Sequence, residues 1–183
     1  MDPKLLVTLL NELFSRFDEL ASRHGIEKIK TIGDAYMAVS GCPEVDDQHA
    51  IRMVSFALQL EEVVVQFNEE FGSDFKVKVG IASGSVMGGV IGKKRISFDL
   101  WGDVVNLASR IESVGRGGDV SISESTAKLV SGSFQLSEPK IVDLKGKGLT
   151  PIYTLLRSDT SKKTIEMTGT STVTDGAISD LAA

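Results

Sequence analysis

One cysteine, Cys42, among 183 residues excludes a disulfide within the chain and fits a reducing compartment. Long apolar runs are missing as well: none approaches the roughly 20 residues that cross a bilayer as a helix. The first residues do not read as a secretory leader, because Glu12, Arg16 and Asp18 interrupt the leucines at helical spacing. The expectation is a soluble, cytoplasmic segment without membrane contact of its own, any anchor or regulatory domain lying in sequence outside it. Positive charge is scarce. Lys and Arg number 20 against 25 Asp and Glu, a net charge of −5, the wrong sign for a nucleic-acid-binding face. An anionic substrate would need local cations or metal ions. His24 and His49 are too far apart, and too poorly accompanied, to suggest a zinc site. There is no Gly-x-Ser-x-Gly elbow, and Cys42 has no evident partner base. Gly88 to Lys94 imitates a phosphate-binding loop, but its spacing is one residue short and no Ser or Thr follows the lysine. Those glycines read instead as bends or close backbone approaches in strands.

What is present suits a single globular domain: 42% of residues are apolar and 25% charged, in a chain long enough for a full core. Leu6, Leu9, Leu13, Phe17 and Leu20 predict an amphipathic helix from Lys4 to Arg23, stopped at Gly25. Two short strands, Ile26 to Ile32 and Ala35 to Ser40, meet at Gly33-Asp34, good chemistry for a tight hairpin. Met53, Ala57, Leu60, Val64, Phe67 and Phe71 predict a second helix from Asp46 to Phe71. Alternation from Phe75 to Ile81 predicts a half-buried strand, and Arg95 to Phe98 a short one. A helix from Asp103 to Ser113, a strand from Val120 to Ser123, a helix from Glu124 to Val130, and strands over Phe134 to Leu144 and Ile152 to Leu155 complete the pattern. Helices and strands alternate without a regular βαβ period, so the class is α+β with a substantially antiparallel sheet. The domain is expected over 1–156. Residues 157–183 are Ser/Thr-rich and aperiodic, a tail or linker expected to be disordered.

Three constellations could carry chemistry, and each has a plainer reading. Lys30 precedes the turn residue Asp34 by four; alternation puts Lys28 and Lys30 on one face, so both belong equally well to a solvated strand edge. Asp34 could ligate a hard cation, although one carboxylate makes a weak Mg²⁺ site unless phosphates complete it. Asn106 and Arg110, four apart on one helix face, could hold a sugar oxygen and a developing phosphoryl charge together. Equally, they could form an exposed polar face with Arg110 paired to Glu112 or Asp103. Lys145-Gly146-Lys147-Gly148 could meet a polyphosphate tail, or be a solvated turn.

Their order and spacing are more specific than any of them singly. Lys30-Thr-Ile-Gly-Asp34-Ala-Tyr-Met-Ala, then Phe98-Asp99-Leu-Trp-Gly-Asp103-x-x-Asn106-x-x-Ser109-Arg110, then Lys145-Gly-Lys-Gly make Met1 to Leu155 resemble the catalytic domain of class III nucleotidyl cyclases. The resemblance implies a ferredoxin-like βαββαβ core and conversion of ATP to 3′,5′-cyclic AMP and pyrophosphate in intracellular signalling. It implies two divalent ions, Mg²⁺ or Mn²⁺, with Asp34 matching the second of the family's two metal aspartates. Lys30 and Asp99 match the purine-reading pair, Asn106 the ribose-orienting residue, Arg110 the transition-state cation and Lys145 the distal-phosphate lysine. Guanylate cyclases carry Glu and Cys where this chain has Lys30 and Asp99, so ATP is expected over GTP. Sites of this family form between protomers, and a homodimer is implied because one chain carries both kinds of residue.

One part of the family pattern has no match. A first strand like Asp-Ile-x-Gly-Phe-Thr, bearing the first metal aspartate, should precede the first helix; Asp2 and Pro3 read instead as its N-cap and first residue. The expectation is a fold lacking that strand, with two sheet edges open and little activity from the chain alone. A non-catalytic cyclase-like nucleotide-binding module and a guanylate cyclase are the alternatives.

Overall fold

The computed structural model describes residues 2–92, 94 and 96–157. The expected tail lies outside them except for Arg157. Helix α1, Pro3–His24, starts where Lys4 N–H donates to the Asp2 carboxylate at 3.2 Å and ends at Gly25. It buries Leu9, Leu13, Phe17, Leu20 and Ala21 along one stripe. Strands β1, Glu27–Ile32, and β2, Ala35–Val39, form the expected hairpin, with Gly33 at φ 63° in its two-residue turn. Alternation misplaces one lysine. The register passes from Lys28↔Ala38 to Lys30↔Met37, so Ile29 is a bulge and the two lysines face opposite sides of the hairpin. Lys28 turns to Asp18 of α1 at 2.7 Å, where the Tyr36 hydroxyl also donates at 2.8 Å.

Helix α2, His49–Phe71, begins three residues later than expected, because Asp46 stays outside it, accepting from Gln48 N–H and pairing with Arg52 at 2.7 Å. Its buried side runs from Ala50 to Phe67 and serves two core clusters, one shared with α1 and the hairpin, the other with the main sheet. Strand β3 is only Val79–Ile81. Upstream, the Asn68 side chain takes both the N–H and the carbonyl of Phe75, and Gly118 N–H donates to the Val77 carbonyl, so these backbone groups are satisfied without a ladder.

Strands β4, Met87–Ile91, and β5, Ser97–Trp101, form a separate antiparallel arm, in which Phe98 lies over Gly88. The predicted strand from Arg95 therefore sits two residues later, and Arg95 itself is outside the described residues. Then come α3, Asp103–Val114, ending at Gly115; β6, Val120–Ser123, fully buried; and α4, Glu124–Val130, capped by Ser123. Strands β7, Lys140–Leu144, and β8, Gly148–Thr154, close the domain. The long strand predicted from Phe134 is interrupted: Leu136 makes one bridge to Leu155, and Pro139, which has no N–H, precedes the regular ladder.

The α+β class holds, with main-sheet order β3-β6-β8-β7, only β3–β6 parallel. Tyr36 and Ala38 of β2 share a core cluster with Phe75, Val77 and Val79, yet no ladder joins the hairpin to β3 among the described residues. A third cluster, Ile111, Leu144 and Ile152 with Leu107 and Val142, fastens α3 to β7 and β8. No helix among the described residues is long and apolar enough to cross a membrane.

Candidate active site

The bulge at Ile29 does more than break alternation. It turns Lys30 towards β5, where its ammonium meets the Asp99 carboxylate at 2.5 Å. Asp99 stands opposite Gly89 in the arm, so no side chain competes for that space, and its other oxygen accepts from Leu100 N–H at 2.9 Å. The Lys30 hydrogen bond, and then the Leu100 amide, hold the Asp99 carboxyl below the usual aspartate range. With side chains 39% and 21% exposed, the pair remains within reach of a ligand.

Asn106 and Arg110 are placed by a close approach of backbone to backbone. A Cβ on Gly80 would lie 2.3 Å from both the Ala108 carbonyl oxygen and the Glu112 nitrogen, so β3 and α3 touch where only glycine fits. The helix therefore presents Asn106 exposed and Arg110 half-buried on the same side. Neither carboxylate that could have claimed Arg110 does so: Glu112 pairs with Lys78 at 3.3 Å, and Asp103 pairs with Lys147. Among the described residues Arg110 makes no ion pair. Its guanidinium lies against the turn after β7, where a side chain added at Gly146 would meet both terminal nitrogens at 3.8 Å. That turn is closed by Lys147 N–H donating to the Leu144 carbonyl at 2.8 Å, with Gly146 at φ 70°, and leaves Lys145 exposed.

Asp34 sits exposed at the hairpin tip, without a hydrogen bond or ion pair among the described residues. No group of three His, Cys, Asp or Glu among the described residues could hold a metal ion. One carboxylate is not the donor set that two divalent ions need. The structure thus joins Lys30 to Asp99, sets Arg110 beside the lysine turn, and leaves Asp34 alone. Sequence reasoning missed two contributors, Gly80 and the Asp103–Lys147 pair. Their signals were slight: a glycine in an alternating strand, and an acid three residues before Asn106 on the same helical stripe.

Over residues 1–157 the chain matches the family model of the adenylate and guanylate cyclase catalytic domain. An adenylate cyclase of Mycobacterium tuberculosis is 39% identical over 154 residues, 84% of this chain and 35% of that protein. The guanylate cyclase soluble subunit beta-2 of Rattus norvegicus is 37% identical over 159 residues, 86% of this chain and 23% of that protein. The chain spans a minor part of these curated relatives. Among solved structures, the guanylate cyclase domain from Catenaria anguillulae in complex with GTP superposes with a TM-score of 0.82 at 38% identity, covering 85% of this chain and 86% of that one. The catalytic core of a rhodopsin-guanylyl cyclase with converted specificity, in complex with ATPαS, gives 0.80 at 39% identity, covering 85% and 84%.

Proposed function

The chain belongs to the adenylate and guanylate cyclase catalytic domain family, and on that premise we propose that it carries the purine-, ribose- and phosphate-binding half of an adenylate cyclase site. Relatives of both substrate types resemble it to a similar degree, so family membership leaves the base open. One observation carries the choice: Lys30 and Asp99 stand side by side at 2.5 Å. Adenine offers an acceptor at N1 and a donor at its exocyclic amine, which suit the ammonium and the carboxylate respectively. Guanine would set a carbonyl oxygen against Asp99. Each mismatched, desolvated group costs about 1–3 kcal/mol, enough for selectivity of roughly tenfold to a hundredfold.

The other residues then have definite tasks. Asn106 orients the ribose so that its 3′ oxygen faces the α-phosphorus. Arg110, uncommitted to any carboxylate among the described residues, stabilises the charge that grows on the α-phosphate as the oxygen attacks and pyrophosphate leaves. Lys145 holds the distal phosphates. Divalent ions, Mg²⁺ or Mn²⁺, supply phosphate neutralisation and a more acidic 3′ hydroxyl when bound. Asp34 gives them one carboxylate only, so the site needs donors beyond those of the described residues. A homodimer is the proposed assembly. Met87, Val90, Ile91 and Phe98 leave the β4–β5 arm with an exposed apolar surface for a second copy to cover.

Substrate choice can be tested without altering the chain's length. This protein is mixed with a cyclase domain that keeps its metal-binding aspartates but has lost its purine-reading residues, and cyclic AMP and cyclic GMP are measured with Mn²⁺. ATP should be the better substrate, and Lys30→Glu combined with Asp99→Cys should move the preference towards GTP. Preference for GTP by the unaltered chain would overturn the adenylate assignment.

A further inference from the structure

The Asp103–Lys147 ion pair is used by none of the tasks above, yet it joins two elements that each carry a phosphate-facing cation. Asp103 is the first residue of α3, and Asp103, Asn106 and Arg110 follow at i, i+3 and i+7, so all three share one stripe of the helix. Along that stripe runs the Lys145–Gly148 turn. Its near end is anchored by Leu144, 2% exposed and clustered with Ile111 of α3. Gly146 passes against the Arg110 guanidinium, and Lys147 closes on Asp103. Lys147 is the less exposed lysine of the turn: its side chain is 24% exposed, while Lys145 lies open to solvent. Two lysines in one short glycine-rich turn therefore have different situations. One is tied to the helix, and the other makes no ion pair among the described residues.

We propose that Asp103 is a positioning residue: through Lys147 it holds the Lys145–Gly148 turn on the α3 face that carries Arg110, and so aims Lys145 at the β- and γ-phosphates of the nucleoside triphosphate. This rests on the cyclase reading of the site and assigns it a residue for holding the polyphosphate. Untied, a turn with glycines at 146 and 148 has many conformations, and the free lysine would have to be ordered again at each binding event.

Electrostatics and positioning predict opposite signs for one substitution, which makes the proposal testable. If only the local field mattered, Asp103→Asn would remove a negative charge near a polyanion and tighten triphosphate binding. If Asp103 positions the turn, the same change weakens it. The full 183-residue chain, Asp103→Asn, Lys147→Met and the double variant are compared in two measurements. The first is amide hydrogen exchange at residues 145–148 without ligand. The second is calorimetric affinity for a non-cyclisable ATP analogue and for AMP, with Mn²⁺ present.

Each single variant should raise exchange in the turn, and the double variant should add little to either. Asp103→Asn should bind the triphosphate analogue about two- to fivefold more weakly, the scale of one partly exposed ion pair, with AMP affinity unchanged. Unchanged exchange, or tighter triphosphate binding by Asp103→Asn, overturns the proposal. An effect confined to Lys147→Met overturns it in favour of direct phosphate contact by that lysine. Equal weakening for AMP reduces Asp103 to a helix-stabilising role and also overturns it. If the wild-type chain binds neither nucleotide while exchange in the turn responds as expected, the chain does not carry the nucleotide-binding half proposed above, and the assignment to polyphosphate falls with it.

Discussion

At the scale of single residues, the site is a set of charges whose partners decide what they can do. Asp99 illustrates this. Its carboxyl lies below the ordinary aspartate range in the folded chain, chiefly through Lys30. A lowered value means that the pair stabilises the fold at pH values above the ordinary range, and that this contribution is lost as pH falls through the lowered value. Carbon-detected NMR of the Asp99 carboxyl should therefore give a midpoint below the unperturbed value of about 3.9, moving back up in Lys30→Met. An Asp99 midpoint indifferent to that substitution would mean that the pair does not persist in solution. Lys30, Asp99, Asn106 and Arg110 could be named as candidates from motif spacing alone. Their partners were not. Alternation describes a regular ladder and has no means of showing that Ile29 is extruded from one, and it is this bulge that sends Lys30 to Asp99 rather than to the side of Lys28.

At the scale of elements, helix α3 is held by what packs beneath it. Ile111 is fully buried against Leu144 and Ile152, and Gly80 brings β3 into backbone contact with the helix. Because the obstructing atoms are backbone, Gly80→Ala cannot be relieved by a side-chain rotation; α3 or β3 must move. We expect a loss of about 1–3 kcal/mol in urea unfolding, the usual cost of overpacking, and a fall in nucleotide affinity larger than that of Gly132→Ala. Gly132 has open space where its Cβ would stand and serves as the control. Equal stability of the two variants would show that the close approach relaxes freely. The helices were legible to within three residues, because a 3.6-residue stripe marks their course and glycines stop α1, α2 and α3; α2 starts late because Asp46 stays outside it. Strands were overextended at Phe75 and Phe134, where apolar alternation continues but the backbone finds Asn68, Gly118 or a single bridge in place of a ladder.

At the scale of the whole molecule, the described residues form three separate sheets around three core clusters, with α1 and α2 spanning the gap between the hairpin and β3. On the proposed reading, this arrangement supplies the base- and ribose-binding residues and one carboxylate, Asp34, for the metal ions. The division explains how family membership can be plain while catalysis depends on what completes the site. It also means that function is best tested by supplying the complement rather than by assaying the chain alone. The most direct measurement is the initial rate of cyclic AMP formation from Mn²⁺-ATP by a verified mixed dimer of this chain with a cyclase domain that retains both metal-binding aspartates but has lost its purine-reading residues, asparagine and arginine. Turnover should fall at least a hundredfold in Arg110→Ala, the scale of a removed transition-state cation. A verified mixed dimer whose rate is no higher with Arg110 than with alanine would contradict the proposed function, and would leave a nucleotide-binding module without turnover.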